Sequence, residues 1–184
     1  PYTLTCEESE EYLSMVQDTL GKNFQNRRLM RLGVSASNGG IAWLHPYIDE
    51  QGKFQTMIIP PEQGIPLWRD NDHEELNGFI WFYNVQVIEG QEQKTVTKVE
   101  YWLPEAVAYY VSDSEGEGWD LRLDSERYLD AVADENSEFM EHFHIGKEAG
   151  NWGRIPFVPF KNNDYELTDL KFVKSLIDGY DKAR

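Results

Sequence analysis

Cysteine is nearly missing: Cys6 stands alone among 184 residues, which excludes an intramolecular disulfide framework. There is no apolar run long enough to cross a bilayer, no charged-then-apolar leader and no Asn-x-Ser/Thr acceptor. Membrane insertion is therefore not expected, and a cytosolic origin is the default reading. Positive charge is scarce as well, with 17 Lys and Arg against 33 Asp and Glu and a formal net charge of −16. A firm non-specific hold on nucleic acid needs clustered cations that displace counterions. The densest basic spot, Arg27-Arg28-x-x-Arg31, has helical spacing and reads as a solvated helix face. Like charge still permits a surface to surround DNA without sticking to it.

Catalytic signatures are thin. No Gly-x-Ser-x-Gly elbow occurs. Gly116-x-Gly118 lacks the third glycine and the Lys-Ser/Thr of a phosphate loop. Cys6 has no recognisable His partner. Asp70-Asn-Asp72-His73-Glu74-Glu75 starts like a calcium loop, but Glu75 stands where Gly is needed and Trp81 where a bidentate Glu belongs. A solvated acidic turn is the simpler account. His142-Phe-His144 beside Glu141 sets two imidazoles on one face of a strand, without the third and fourth ligands that zinc uses. Two partly exposed histidines explain it as well. No enzymatic activity, cofactor or metal is expected.

What is present points to a folded chain, 40% hydrophobic and 14% aromatic, long enough for one domain plus an appendage. Residues 5–20 read as an amphipathic helix capped by Thr5, with Tyr12, Leu13, Val16 and Leu20 inward. A second helix is expected from Phe24 to Ser37, stopped by Asn38-Gly39-Gly40. Strands are expected at 41–48 and 54–59 around the turn 49–53, at 67–68, at 79–88 and 95–103 around 89–94, and at 106–111. Residues 112–118 read as an exposed acidic loop. Beyond it Leu121, Leu123, Tyr128 and Leu129 suggest one short strand, and Phe139, Phe143 and Ile145 another. The class is α+β: N-terminal helices, an antiparallel β meander and a C-terminal projecting amphipathic helix. The expected division is 1–150, an α+β body, and 151–184, an appendage.

That appendage is the most informative stretch. Asn151-Trp-Gly-Arg-Ile-Pro-Phe-Val-Pro-Phe-Lys161 is stiffened by Pro156 and Pro159 and reads as an extended strut rather than a strand interior. In the following helix Leu167, Leu170, Val173, Leu176, Ile177 and Tyr180 recur at three- and four-residue steps. Leaving that stripe in water forgoes on the order of 10 kcal/mol. No Gly or Pro closes the helix after Tyr180, and Pro1 stands where an initiating Met would, so both ends read as cut. The residues expected to meet a neighbouring chain are Trp152, Arg154, Phe157, Leu170, Val173, Ile177 and Tyr180. An alternative is a carbohydrate- or ligand-binding module, since Trp43, Trp68, Trp81, Trp102, Trp119 and Trp152 could stack on sugar rings.

The stretch 151–163, with Leu170-Lys-Phe-Val-Lys-Ser-Leu-Ile-Asp-Gly-Tyr-Asp181, resembles the tailed-bacteriophage portal protein family. The likeness is greatest to the branch from long, non-contractile-tailed phages and prophages of Gram-positive bacteria. Ala36-Ser-Asn-Gly-Gly-Ile-Ala-Trp-Leu-His-Pro-Tyr-Ile48, Ile59-Pro-Pro-Glu-Gln-Gly-Ile-Pro-Leu-Trp68 and, more loosely, Lys98-Val-Glu-Tyr-Trp-Leu-Pro104 also fit. The resemblance implies a homo-oligomeric ring, usually a dodecamer, at one capsid vertex of the virion, assembled in the host cytoplasm. It implies work with a separate terminase motor, scaffold and capsid proteins, and head-tail adaptors. Double-stranded DNA would pass without sequence-specific binding, through a connector with no ATPase of its own. Residues 1–150 would correspond to the wing and 151–184 to the strut and the start of a stem helix. Family subunits are far longer, so crown, clip and most of the stem are not expected in these residues, and no motif marks a DNA contact.

Overall fold

Strands form in runs rich in β-branched and aromatic residues, and helices stand before and after them, in a computed structural model that describes residues 5, 9–19, 21, 27–90, 92–113, 120–129, 138–145 and 148–183. The class is α+β with antiparallel sheets and a C-terminal helix. Chain contacts gather into two units, one from residues 1–47, 54–61 and 158–184, the other from 48–53 and 62–157.

In the first unit, α1 (Glu10–Thr19) starts later than expected. Its cap is Ser9, whose Oγ accepts the Tyr12 N–H at 3.1 Å, and not Thr5. The expected inward residue Leu20 and the expected helix start Phe24 lie outside the described residues. Helix α2 (Leu29–Gly39) ends as the glycines require: Gly40 has φ 87° and its N–H reaches the Ala36 carbonyl at 2.6 Å. A three-stranded sheet runs in the order β10 (Val158–Lys161), β1 (Ile41–Ile48), β2 (Phe54–Ile59). Leu32 and Ala36 of α2 pack on Ala42, with Leu29, Leu44 and Ile58 around them. Arg28 binds the Thr56 carbonyl and hydroxyl, pinning α2 to β2. That guanidinium is therefore part of the fold, not of a solvated face.

The proline-stiffened segment also differs from expectation at its end. Val158–Lys161 is a true strand, with Trp43 opposite Pro159 and Ala42 opposite Phe160. It lies at the sheet edge, where a residue without an N–H is tolerated.

The second unit holds a five-stranded meander, in the order β3 (Gly64–Trp68), β4 (Leu76–Glu89), β5 (Glu92–Trp102), β6 (Val107–Ser112), β7 (Arg122–Leu123). Pairing of β4 with β5 continues to Glu89 opposite Glu92, a tighter hairpin than the expected 89–94 turn, helped by Gly90 at φ 67°. Phe79, Trp102 and Val107 share one cross-strand row, and all three are buried. On the same face Glu100 is buried and accepts hydrogen bonds from Tyr83 Oη (2.9 Å), Trp102 Nε1 (3.0 Å) and Arg127 (3.3 Å). Burial raises the Glu100 pKa, and the Arg127 guanidinium opposes it.

Tyr128, expected on a strand, lies on the short helix α3 (Ser125–Leu129). There its hydroxyl donates to the Glu138 carbonyl and accepts the Tyr109 N–H. Of the next expected strand only Phe143–Ile145 forms, β8, paired with β9 (Glu148–Gly150). Phe139 precedes it, and Met140 bridges to Val107. The acidic loop at 114–118 and Trp119 lie outside the described residues.

Candidate assembly face

A helix is mounted on β10 through a joint of unusual polar density. Asn162 N–H binds the Gly40 carbonyl (2.9 Å), and its side-chain amide donates to the Leu167 carbonyl (2.9 Å) and to Asp169 Oδ1 (2.8 Å). Asn163 accepts the Tyr165 and Leu167 N–H groups through Oδ1 and donates to the Leu167 carbonyl. The Ser37 hydroxyl of α2 donates to Asp169 Oδ2 at 2.5 Å, and Lys161 pairs with Glu166 at 3.1 Å. The Ser37 and Asn162 hydrogen bonds hold the Asp169 carboxyl below its ordinary value. A Cβ at Gly40 would fall 1.9 Å from the Glu166 carbonyl oxygen, so the joint closes only over glycine.

From this joint rises α4 (Asp169–Ala183), about 22 Å long at 1.5 Å per residue. Thr168 caps it, accepting the Lys171 N–H at 3.2 Å. None of its residues is buried. Leu170, Phe172, Val173, Leu176, Ile177 and Tyr180 are between 44% and 72% exposed. At 3.6 residues per turn they cover an arc of roughly 160°. Lys171, Lys174, Asp178 and Asp181 fall outside that arc, and Lys174 pairs with Asp178 at 2.6 Å. Isolated helices of about 15 residues are marginal in water. An amphipathic helix of this length owes most of its stability to packing of its apolar face, which makes α4 the candidate assembly face.

The remaining candidates divide. Arg154 is exposed, and Trp152 is half-buried against Phe143, with ring centres 5.0 Å apart. Phe157, expected at an interface, is a core residue instead: 2% exposed, it stacks on Phe79 at 3.9 Å and meets Trp102 edge-on. It has no surface left to offer a neighbour. His142 is buried, with Nε2 donating to the Leu103 carbonyl at 2.8 Å and Nδ1 accepting the Trp152 N–H at 3.3 Å. One neutral tautomer satisfies both bonds, so both ring nitrogens are engaged, while His144 is exposed. Burial lowers the His142 pKa. Glu141 takes the Asn151 amide. Asp70 accepts the Glu74 and Glu75 N–H groups at 3.0 and 2.7 Å, which closes its own turn. Among the indoles, Trp43 and Trp102 are buried, Trp81 donates to Gln63, and Trp68 stacks on His73 at 4.9 Å.

A family model described as phage portal protein, SPP1 Gp6-like, matches residues 1–184. The chain belongs to that family. Its relatives include the portal protein of Bacillus phage SPP1, 32% identical over 183 residues, 98% of this chain and 33% of the relative. The portal protein of Clostridium phage phiCD119 is 29% identical over 193 residues, 100% of this chain and 38% of the relative. The chain thus spans about a third of the length of these curated portal proteins.

In this portal-family chain the sequence pattern located the α4 stripe but began it at Leu167, which lies in the joint before the helix, and left out Phe172. Phe172 sits four residues before Leu176, within the three-and-four spacing, and its exposed side chain widens the apolar arc of α4. The mount was also missed. Its only signal is the run Asn162-Asn-Asp164 between a strand and a helix, with a Gly pair far upstream. No helix among the described residues is long and apolar enough to cross a membrane.

Proposed function

We propose that the full-length protein is a structural subunit of a phage portal ring, and that α4 is the part of this segment through which subunits engage. Residues 1–150 act as the wing-like body and 151–184 as the strut and the opening of a stem-like helix. The ring sits at one capsid vertex of the virion, passes double-stranded DNA during packaging and ejection, and works with a terminase motor, capsid proteins and head-tail adaptors. It performs no chemistry of its own. Family membership supports the portal role, and the uncovered face of α4 carries the assignment of the contact.

The width of the stripe favours a ring over a pair. A two-stranded coiled coil needs only a narrow seam, whereas a helix within a closed ring touches one neighbour on each side. An arc of roughly 160° is enough for two such contacts. The strongly acidic surface suits a conduit, because a wall that repels phosphate does not retain its cargo.

The test is Ile177→Asp, with Arg154→Ala as a second variant, in the full-length chain. Both residues are exposed, so the melting temperature should change by no more than the equivalent of about 0.5 kcal/mol. Ring assembly, read by native mass spectrometry, should be lost for Ile177→Asp and weakened for Arg154→Ala. A large fall in melting temperature with rings retained would assign these side chains to the fold of their own subunit.

A further inference from the structure

The basic stretch near α2 is not used by the assembly described above. With Arg28 committed to Thr56, Arg27 and Arg31 remain exposed, and Met30 and Val34 are 69% and 61% exposed. Arg27, Met30, Arg31 and Val34 follow at three- and four-residue steps, so they share one helix face, opposite the buried Leu32 and Ala36. Two large apolar side chains flanked by two arginines are unusual on a chain with a net charge of −16.

Helix α1 presents the opposite pattern. Glu11, Tyr12, Met15 and Asp18 occupy one face at steps of one, four and seven from Glu11. Tyr12 and Met15 are 60% and 61% exposed, and both acids are exposed. Each helix therefore carries two apolar side chains framed by like charges, negative on α1 and positive on α2.

We propose that the outward face of α2 receives α1 of a second copy of this chain, as a further subunit contact distinct from α4. Charge complementarity selects the occupant. Two copies at −16 repel one another, and a contact between them gains most where a local cationic face meets an anionic one. The α2 face cannot pair with itself, because that would bring four arginines together. The contact is therefore heterologous, the kind that closes into a ring when the rotation permits. This inference rests on the ring reading, to which it adds a second contact surface.

The experiment uses the full-length chain in a Cys6→Ser background, with Tyr12→Cys and Val34→Cys introduced together and oxidised. The expected result is a ladder of covalent multimers extending to the mass of the closed ring. Adding Arg27→Glu and Arg31→Glu should abolish the ladder, and further adding Glu11→Lys and Asp18→Lys should restore it. A cross-link confined to single chains would overturn the proposal by showing that α1 covers its own α2. Rings that form, break with Ile177→Asp and yet show neither cross-link nor response to charge reversal would also overturn it while leaving the α4 contact standing. Loss of DNA retention as the sole effect of the reversal would reassign the face to nucleic acid. A full-length chain that never assembles would remove both readings together.

Discussion

Gly40 shows how much a single missing side chain can decide. It has φ 87°, and an added Cβ would lie 1.9 Å from the Glu166 carbonyl oxygen, inside the joint that carries α4. A left-handed non-glycine residue costs about 1–2 kcal/mol, before any displacement of backbone. Gly40→Ala should therefore destabilise the chain by at least about 2 kcal/mol, or roughly 4–8 °C in melting temperature. An unchanged melting curve would mean that the joint is looser than its geometry implies. His142 makes the pH dependence legible at the same scale. Burial holds it below its ordinary value of 6.5, so the folded chain binds fewer protons than the unfolded chain between the two values. Its contribution is complete above 6.5 and falls as pH drops below 6.5, at no more than about 1.4 kcal/mol per pH unit. Below the folded-state value it levels off. Thermal melts across this window should lose that slope in His142→Gln, and an identical slope in the variant would place its origin elsewhere.

Among elements, the contrast between Phe157 and α4 is the instructive one. Both looked like interface material, because aromatic and aliphatic residues beside proline carry no mark of which chain will cover them. Phe157 is covered by Phe79 and Trp102 of its own unit, whereas no residue of α4 is buried. Phe157→Ala should thus cost about 3–5 kcal/mol of stability through the cavity it leaves. A change below about 1 kcal/mol would return Phe157 to the interface. Strands β1, β2, β4, β5 and β6 were readable because short runs rich in β-branched and aromatic residues, bounded by turn residues, mark a strand without knowledge of its partners. The Val158–Lys161 strand was not, since Pro159 argues against pairing and only the edge position excuses it. Nor was α3, whose five residues are fixed by Tyr128 bonding to the backbone at Tyr109 and Glu138. The stripe of α4 was legible from spacing, and its mount was not, because Ser37 and Asp169 are 132 residues apart.

For the whole molecule, a net charge of −16 and an uncovered amphipathic helix pull in opposite directions. Charge keeps copies apart until apolar surface and matched local charges outweigh it, so assembly should strengthen as salt screens the repulsion. The family match covers all 184 residues, and the chain spans about a third of the length of its curated relatives. The measurement that bears most directly on the central claim is electron microscopy of the full-length protein beside its Ile177→Asp variant. Closed rings with a central hole in the parent, and dispersed subunits of unchanged melting temperature in the variant, are the expected pair. Intact rings in the variant would contradict α4 as the assembly face, and a strictly monomeric parent at every concentration would contradict the ring itself.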